Sequence, residues 1–212
     1  MADTDLLTLM QWLSPAFPTG AFAYSHGLER VVADGTIHDA ATLEDWLTGI
    51  LLYGAGWQDA VLLAQALRPG TDLDALDALA RALAPSAERL RETLDQGTAL
   101  ARTVAGITGR SLPPRALPIA LGEAAQALSL PPATVIALFL QGFAGNLTTI
   151  AVRHVPLGQT AGQTVLANLA PVLGSLAASA ATATLDDLGG AALAADLAAF
   201  EHETQDVRIF RT

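Results

Sequence analysis

The sequence predicts an all-α protein, a single-domain bundle of roughly eight to ten helices. Along most of the chain, apolar residues recur every three or four positions, which is the spacing of a helix with one buried face. We find no run of the strict apolar–polar alternation that indicates a half-buried strand. The chain has 212 residues, of which 51% are hydrophobic, enough for one large core. We therefore expect residues 1–212 to form a single helical domain.

Start signals and apolar spacing place four helices in the first half of the chain. A threonine followed three residues later by an acidic residue marks a helix start at two positions. The predicted elements are, in order, a helix with Leu6, Leu7, Met10 and Leu13 on its apolar face, a helix opened by Thr42 and running to about Trp57, a helix opened by Thr71 and running to about Leu83, and a long helix from Ser86 to Ile107.

Prolines and glycines divide the second half into helices and breaks. Proline is tolerated at a helix start, where its missing N–H would be unpaired anyway. The predicted elements are a loop over residues 109–118, a helix over 116–128, a helix that begins at Pro131 and Pro132 and runs to Ile150, a break at residues 156–158, a helix from Gln159 to about Thr184 with a kink at Pro171, a hinge at Gly189 and Gly190, and a short helix before a polar tail.

The stretch from Ala124 to Leu185 carries a single formal charge, that of Arg153. One interpretation is a pair of membrane-spanning helices. Glutamine and asparagine side chains interrupt the apolar runs, however, and no basic cluster flanks them as the positive-inside rule requires. We therefore favour two helices that are buried on nearly all sides at the centre of the bundle and contribute to a homo-oligomer interface.

Composition excludes several classes of activity. The chain contains no cysteine, which rules out disulfides, thiolate nucleophiles and cysteine-bound metal sites. All 11 basic residues are arginine, and the lack of lysine rules out Schiff-base chemistry and a phosphate-binding P-loop. A net charge of −10 argues against binding to nucleic acid. The N-terminus is acidic, unlike a secretory signal, so we expect a cytoplasmic protein.

Residues 13–29 stand out as a candidate recognition segment. Two prolines and Gly20 prevent the first helix from continuing. Phe17, Phe22 and Tyr24 place three of the chain's aromatic residues in this short segment. A shaped loop with aromatic and polar side chains beside a helical scaffold indicates a recognition surface.

The C-terminal tail is a second candidate contact surface. Arg208 and Arg211 flank Ile209 and Phe210, and this mixture of arginine and apolar side chains suits docking onto another protein. On composition alone, a frayed terminus is an equally good interpretation.

The sequence offers no convincing catalytic set or metal site. The four histidines form no pair at the spacing that binds metal on a helix. Ser25 and His26 are adjacent, which is a poor geometry for a nucleophile and its base. Glu201, His202 and Glu203 would point in different directions on a helix. A metal site shared between subunits remains open for the histidines at positions 26, 154 and 202.

Two functions from other classes also remain open on the residues alone. One is an all-α hydrolase that uses surface carboxylates such as Glu29 and Asp59. The other is a small helical membrane protein. No close carboxylate pair or positioned base supports the hydrolase.

Three segments together resemble the UreF-type urease accessory proteins. They are residues 6–29, LLTLMQWLSPAFPTGAFAYSHGLE; residues 155–166, VPLGQTAGQTVL; and residues 202–212, HETQDVRIFRT. Their order and spacing extend the resemblance over essentially the whole chain. It implies an all-α homodimer without enzymatic activity of its own. It also implies a complex with the urease GTPase (UreG) and with UreD, also called UreH, which delivers nickel to apo-urease; no cofactor would be bound stably to this chain.

The resemblance implies three contact surfaces. One lies within residues 1–30, one in the middle of the chain and one within residues 200–212. The first motif implies a GTPase face at Pro15, Pro18, Gly20, Phe22, Tyr24, Ser25, Gly27, Leu28 and Glu29. The second implies a dimer or GTPase interface at Pro156, Gly158, Gln159 and Gln163. The third implies a UreD docking tail with His202, Glu203, Gln205, Arg208, Phe210 and Arg211.

Three further positions bear on these surfaces. Asp206 stands where the family usually has tyrosine, which leaves Phe210 as the aromatic anchor of the tail. Ala21 stands where the family often has a second glycine. Arg153 is the only charge of the central stretch. Because an unpaired buried charge is costly, we expect Arg153 to be hydrogen-bonded at the dimer or GTPase interface.

Overall fold

The computed structural model describes residues 2–211, and in this range ten α-helices and two short 3₁₀ turns form the regular structure. The helices are α1 (Ala2–Trp12), α2 (Leu28–Ala33), α3 (Ala40–Tyr53), α4 (Ala55–Ala66), α5 (Leu73–Ala82), α6 (Ala87–Thr108), α7 (Leu117–Ala125), α8 (Pro132–His154), α9 (Gln159–Thr182) and α10 (Leu193–His202). The 3₁₀ turns lie at Ala21–Ala23 and Leu185–Asp187. No strand occurs within residues 2–211, so the all-α prediction is confirmed.

Helix α3 begins earlier than the sequence predicted, and helix α5 begins later. Asp39 caps α3: its carboxylate accepts a hydrogen bond from the Thr42 N–H at 2.8 Å, and the Thr42 hydroxyl accepts one from the Asp39 N–H at 3.1 Å. Thr42 is therefore inside the helix rather than its cap. Asp72, not Thr71, caps α5. Aspartate and threonine are both good caps, so the sequence alone did not rank these neighbours.

The helix predicted to run to Trp57 is interrupted. It ends at Tyr53, and Gly54 adopts a non-helical conformation before α4 begins. A Cβ on Gly54 would lie 2.8 Å from the Cβ of Ala192, the residue before α10. The break therefore lets the start of α10 approach the α3–α4 junction closely. Helix α2 was also missed, because its six residues are too few to show a period.

Helix α1 buries a different face from the predicted one. Leu9 and Trp12 are buried, whereas Leu7 and Met10 are 68% and 54% exposed. The prediction was wrong for Leu7 and Met10, whereas Leu6 and Leu13 are half-buried, because apolar residues occupy more than one face of this short helix. Their spacing alone does not say which face meets the rest of the bundle.

Helices α8 and α9 are joined by a short turn and pack along each other. Helices α3 and α4 pack against α9. In the most apolar 18-residue window of each, 50% of α8 and 33% of α9 is buried. The expectation that both are buried on nearly all sides was therefore wrong for α9. Its exposed face consists of small and polar residues such as Gln163, Asn168 and Gly174.

Three stretches are long and apolar enough to cross a membrane by length and composition: Ala40–Ala66, Pro132–His154 and Gln159–Thr182. The first is broken at Gly54. In the fold, the apolar sides of all three meet in one core, which includes Leu47, Leu140 and Leu173. A smaller core joins α4, α5 and α7. Helix α10 packs on α2, which brings the C-terminal tail to the recognition segment.

Candidate partner-binding surface

The recognition segment ends in a tight turn that depends on left-handed backbone. Gly20, His26 and Gly27 have φ angles of +75°, +59° and +75°, in the region that favours glycine. A Cβ on Gly27 would lie 2.9 Å from the backbone nitrogen of Ala199 in α10. A larger residue therefore does not fit at position 27 unless α10 moves. Because α2 begins directly after this turn, the turn sets the position of Glu29.

Only part of the predicted GTPase face is accessible from outside. Its exposed members are Pro15, Pro18 and Phe22, with Phe22 67% exposed. Its half-buried members are Gly20 and Glu29, and its buried members are Tyr24, Ser25, Gly27 and Leu28. Because these four residues are buried inside the chain, they stabilise the segment and are not open to a partner. A partner in contact with this surface would meet the two prolines and the Phe22 ring.

Tyr24 fastens the recognition segment to α6. Its hydroxyl donates a hydrogen bond to Oδ2 of Asp95 at 2.7 Å. Burial and the Asp95 carboxylate raise the pKa of Tyr24, against an opposing effect of the Arg211 guanidinium. The phenol therefore stays a neutral donor near pH 7. From the other side, the Asn146 amide of α8 donates to the Ala21 carbonyl at 3.1 Å.

The C-terminal tail lies directly on the recognition segment. The backbone N–H groups of Ile209 and Phe210 each donate to the Glu29 carboxylate at 2.9 Å. The backbone N–H of Arg211 donates to the Ala23 carbonyl at 2.8 Å. The first and third predicted surfaces are therefore in contact with each other.

His202, the last residue of α10, is completely buried between two carboxylates. Its Nδ1 lies 2.7 Å from Oε2 of Glu88, and its Nε2 lies 3.2 Å from Oε2 of Glu29. The other oxygen of Glu88 accepts a hydrogen bond from Nη1 of Arg208 at 2.7 Å. The Glu88 backbone N–H donates to the Glu203 carboxylate at 3.1 Å. Three of the predicted tail residues are thus held at the start of α6.

The remaining tail residues have different environments. The Gln205 amide donates to the Val207 carbonyl at 2.8 Å, within the tail itself. Val207 and Ile209 are 77% and 68% exposed. Phe210 is half-buried and packs edge-on against the ring of His154, with ring centroids 5.1 Å apart. The tail therefore presents apolar side chains to solvent while its backbone and polar groups hold it in place.

The second motif forms the turn from α8 to α9. Its four predicted residues are exposed: Pro156, Gly158, Gln159 and Gln163. Arg153, one turn earlier, is also exposed, and its guanidinium makes no hydrogen bond or ion pair with the residues that the structure describes. The cost of burial that motivated its predicted hydrogen bond does not arise in the single chain. Its place at an interface stays a prediction.

A groove of about 560 Å³ joins the first and second motifs. Its exposed lining includes Pro15 and Phe22 from the recognition segment, and Arg153 and Gln163 from α8 and α9. Its lining also includes Arg89 of α6, which is buried. The groove therefore offers an aromatic ring, a guanidinium and an amide to one partner.

A buried charged cluster lies beneath this groove. Arg89 donates to the Glu92 carboxylate, and the Gln96 amide donates to the same carboxylate at 3.1 Å. Burial raises the pKa of Asp59, which faces the cluster from α4, to about 6, although the positive charge of Arg89 acts against this shift. Burial and the Arg89 charge lower the pKa of His26 well below its usual value. His26 is therefore a neutral ring near pH 7.

This cluster was not predicted, although the sequence carries a signal for it. Arg89, Glu92 and Gln96 are three and four residues apart, and the same face of α6 continues with the buried Leu100. Polar residues in line with a buried apolar face indicate a buried polar network. The hydrolase hypothesis used Glu29 and Asp59 together, but Glu29 binds the tail whereas Asp59 belongs to the Arg89 cluster.

Metal-ligating side chains are not gathered in the described part of the chain. Within residues 2–211, no group of three or more histidine, aspartate or glutamate side chains is arranged to hold a metal ion. The carboxylates around His202 are hydrogen-bonded to its ring. A site shared between subunits stays a prediction.

Comparison with known proteins decides the family. A family model of UreF matches residues 37–170. A protein of Cereibacter sphaeroides named urease accessory protein UreF is 63% identical over 207 residues, which is 98% of each chain. Proteins of the same name from Paracoccus denitrificans and a Jannaschia species are 52% and 50% identical, over 97% and 98% of this chain and 95% and 94% of their own. The chain belongs to the UreF family.

Membership of the UreF family confirms the resemblance that the three motifs indicated. The matched range of the family model contains only the second motif, residues 155–166. The nearly full-length similarity to named UreF proteins extends the match beyond that range toward both ends of the chain. UreF proteins are accessory proteins of urease, so this chain acts in urease maturation.

Proposed function

We propose that this chain is a non-catalytic scaffold that assembles with the GTPase UreG and with UreD (UreH) to deliver nickel to apo-urease. The observation that carries the proposal is the contact between Glu29 of the recognition segment and the backbone of the tail. Two candidate partner-binding segments support each other through this contact. Such an arrangement suits a protein that holds two partners at once.

The groove between the recognition segment and α9 is the proposed UreG face. Phe22 is exposed at its edge, and exposed aromatic rings beside a cleft are common anchors of protein interfaces. Arg153 has no partner among the described residues, so its guanidinium is available to an acidic or carbonyl group of the GTPase. Of the two interfaces predicted for Arg153, with a second copy or with the GTPase, we therefore propose the one with the GTPase, in the groove.

Helix α10 and the tail form the proposed UreD face. Leu193, Leu197 and Phe200 are 70%, 59% and 50% exposed and occupy positions i, i+4 and i+7 of the helix. This spacing forms one apolar stripe, the feature by which a helix docks into a partner's groove. The exposed Val207 and Ile209 of the tail add further apolar area to the same C-terminal region of the chain.

The exposed face of α9 is the proposed homodimer interface. Helix α9 has 24 residues and no charged side chain, although much of one face is open to solvent in the single chain. Interface cores are depleted in charged residues, whereas free surfaces are rich in them. The polar groups on this face also suit a cytoplasmic protein better than one immersed in lipid. We propose that nickel is the cargo of the complex and that this chain holds no stable cofactor.

Co-purification of each partner with variants of the full chain tests these faces. Phe22→Ala should weaken UreG binding by about tenfold or more, because it removes an exposed ring from the groove. It should leave UreD binding unchanged. Leu197→Asp should do the reverse, because it places a charge in the apolar stripe of α10. Ile107→Ala is the matched control, since Ile107 is 55% exposed on α6 and lines no part of the groove.

The possible outcomes separate the proposal from its details. A native chain that binds neither UreG nor UreD would overturn the scaffold function. Native binding with no effect of Phe22→Ala and Leu197→Asp would keep the function but place the interfaces elsewhere. Tyr24→Ala is not a useful substitute for Phe22→Ala, because Tyr24 is buried and its loss disturbs the segment itself.

A further inference from the structure

A second cavity, of about 420 Å³, lies between the recognition segment, α6 and the tail, and we call it the α6 cavity. It borders the groove, because Thr19 and Phe22 line both. Cavities of roughly 300–1,000 Å³ have the size of small-ligand sites in proteins. Its α6 side consists of residues that belong to none of the predicted partner surfaces: Asp95, Thr98, Ala99 and Arg102.

The charged groups that line the α6 cavity, among the described residues, are two guanidinium groups and one carboxylate. Arg102 comes from α6, and Arg211 comes from the tail, where its backbone N–H donates to the Ala23 carbonyl at 2.8 Å. The carboxylate is that of Asp95, whose Oδ2 accepts the hydrogen bond of the Tyr24 hydroxyl at 2.7 Å. The lining therefore has a net positive charge, in a chain whose net charge is −10. A concave site of this sign attracts anions.

Both guanidinium groups have donors free for a ligand. Arg102 is exposed, and its side chain makes no hydrogen bond or ion pair with any of residues 2–211. Arg211 is also exposed, and its guanidinium interacts with the Tyr24 hydroxyl. Because a guanidinium carries five N–H donors, this single contact leaves most of them for a ligand. The hydroxyl-bearing side chains of Thr19 and Thr98 line the same cavity.

The charges and the apolar wall of the α6 cavity favour a phosphate over a carboxylate. A phosphate monoester carries a charge of about −1.5 to −2 at pH 7 and offers three acceptor oxygens, enough to bind two guanidinium groups at once. A carboxylate carries one charge and is satisfied by one guanidinium. The Phe22 ring, 67% exposed, adds a flat apolar surface on which the body of a ligand packs.

We propose that the α6 cavity binds a small phosphate monoester with a flat apolar body. Arg102 and Arg211 hold the phosphate, and the Phe22 ring packs against the body. The site is a property of the single chain and does not rest on the proposed partners.

Isothermal titration of the full chain with phenyl phosphate tests the site, because this probe joins one phosphate to one flat ring. We expect saturable binding of one phenyl phosphate per chain. Inorganic phosphate, which lacks the ring, should bind about three- to tenfold more weakly. Benzoate, which has the ring but a single charge, should bind more weakly by about tenfold or more.

Each result of this titration bears on one part of the proposal. No binding of phenyl phosphate would overturn the site. Benzoate that binds as tightly as phenyl phosphate would overturn phosphate as the ligand class. Inorganic phosphate that binds as tightly as phenyl phosphate would overturn the flat body.

A matched pair of arginine variants assigns the binding to this cavity. Arg102→Ala should weaken the binding of phenyl phosphate by about tenfold or more, because it removes charged hydrogen-bond donors. Arg91→Ala is the control, since Arg91 is also an exposed arginine of α6 but does not line the cavity. An unchanged affinity in Arg102→Ala, or an equal loss in Arg91→Ala, would overturn the assignment.

Two further measurements follow the groups that contact the ligand. In Phe22→Ala, the advantage of phenyl phosphate over inorganic phosphate should vanish, and an advantage that persists would overturn the role of the ring. In a chain labelled with ¹⁵N-arginine, phenyl phosphate should shift the Nε resonances of Arg102 and Arg211 and leave that of Arg91 in place. Unmoved resonances of Arg102 and Arg211 would overturn the site.

Discussion

At the scale of single residues, Asp59 shows how its position in the fold changes the chemistry of a side chain. Its carboxyl group lines the groove on α4, close to Arg89. Burial raises the pKa of Asp59 from its ordinary 3.8 to about 6, and the attraction of Arg89 offsets only part of that rise. Between about pH 4 and 6 the folded chain keeps a proton that the unfolded chain has lost. The contribution of Asp59 to stability therefore falls as the pH rises through this window.

Asp59→Asn should raise the free energy of unfolding at about pH 7.5 by on the order of 2 kcal/mol. Asparagine has nearly the same shape and carries no charge to desolvate, so the variant should also lose less stability between about pH 4 and 6. Chemical denaturation at several pH values measures both effects. Asp45→Asn, at an exposed position of α3, is the control and should follow the native chain. A loss of stability at pH 7.5 in Asp59→Asn would mean that attraction to Arg89 outweighs burial.

Single residues also show what the sequence could not reveal about the site. Phe22 and Tyr24 are two residues apart and look alike in a motif, yet Phe22 is exposed and Tyr24 is buried. Tyr24 has a long-range partner, Asp95, which lies 71 residues further along the chain and accepts the hydrogen bond of its hydroxyl. His202 was likewise predicted as a tail residue, but its two carboxylate partners come from α2 and α6. Long-range partners of this kind leave no local pattern.

At the scale of elements, Gly27 determines how closely α2 and α10 approach. Gly27→Ala should destabilise the chain for two reasons. The left-handed backbone costs about 1–2 kcal/mol for a residue with a Cβ, and the added Cβ, 2.9 Å from the Ala199 nitrogen, costs about 1–3 kcal/mol more through overpacking. Gly35→Ala separates the two terms, because Gly35 has a φ of +82° and no atom within 4 Å of the added Cβ. Chemical denaturation of both variants gives the difference. If Gly27→Ala and Gly35→Ala lower the free energy of unfolding equally, α10 moves away from the added Cβ without an energetic cost.

The elements themselves were largely predictable, because the helical period and the capping signals are local. The long helix predicted from Ser86 to Ile107 is α6, with Ser86 as its cap at 3.1 Å from the Arg89 N–H, and α8 and α9 lie on either side of the predicted break. The buried face of α1 and the open face of α9 were not predictable. Which face of a helix is covered depends on the helices that pack beside it, and that information is spread over the whole chain.

At the scale of the whole molecule, the three motifs that indicated the family form one connected region. The tail contacts the recognition segment through Glu29 and contacts the end of α8 through the Phe210–His154 pair. The groove then links the recognition segment to α9. Residues up to 181 positions apart in the sequence are therefore in direct contact, and the three motifs adjoin one another in the fold. If the chain holds two partners as proposed, the same hydrogen bonds support the surfaces that both would contact.

The open face of α9 leads to the prediction for the assembled protein. Ala170 is exposed near the middle of this uncharged face. If two chains meet there about a twofold axis, the same face is buried on both chains, so Ala170→Glu buries one unpaired charge from each chain in the interface. We expect sedimentation velocity to show a dimer for the native chain and a monomer for Ala170→Glu, with the helical circular dichroism of both unchanged. Ala78→Glu, on an exposed position of α5, is the matched control and should remain a dimer. A dimer that survives Ala170→Glu would place the interface away from α9, and a monomeric native chain would overturn the homodimer itself.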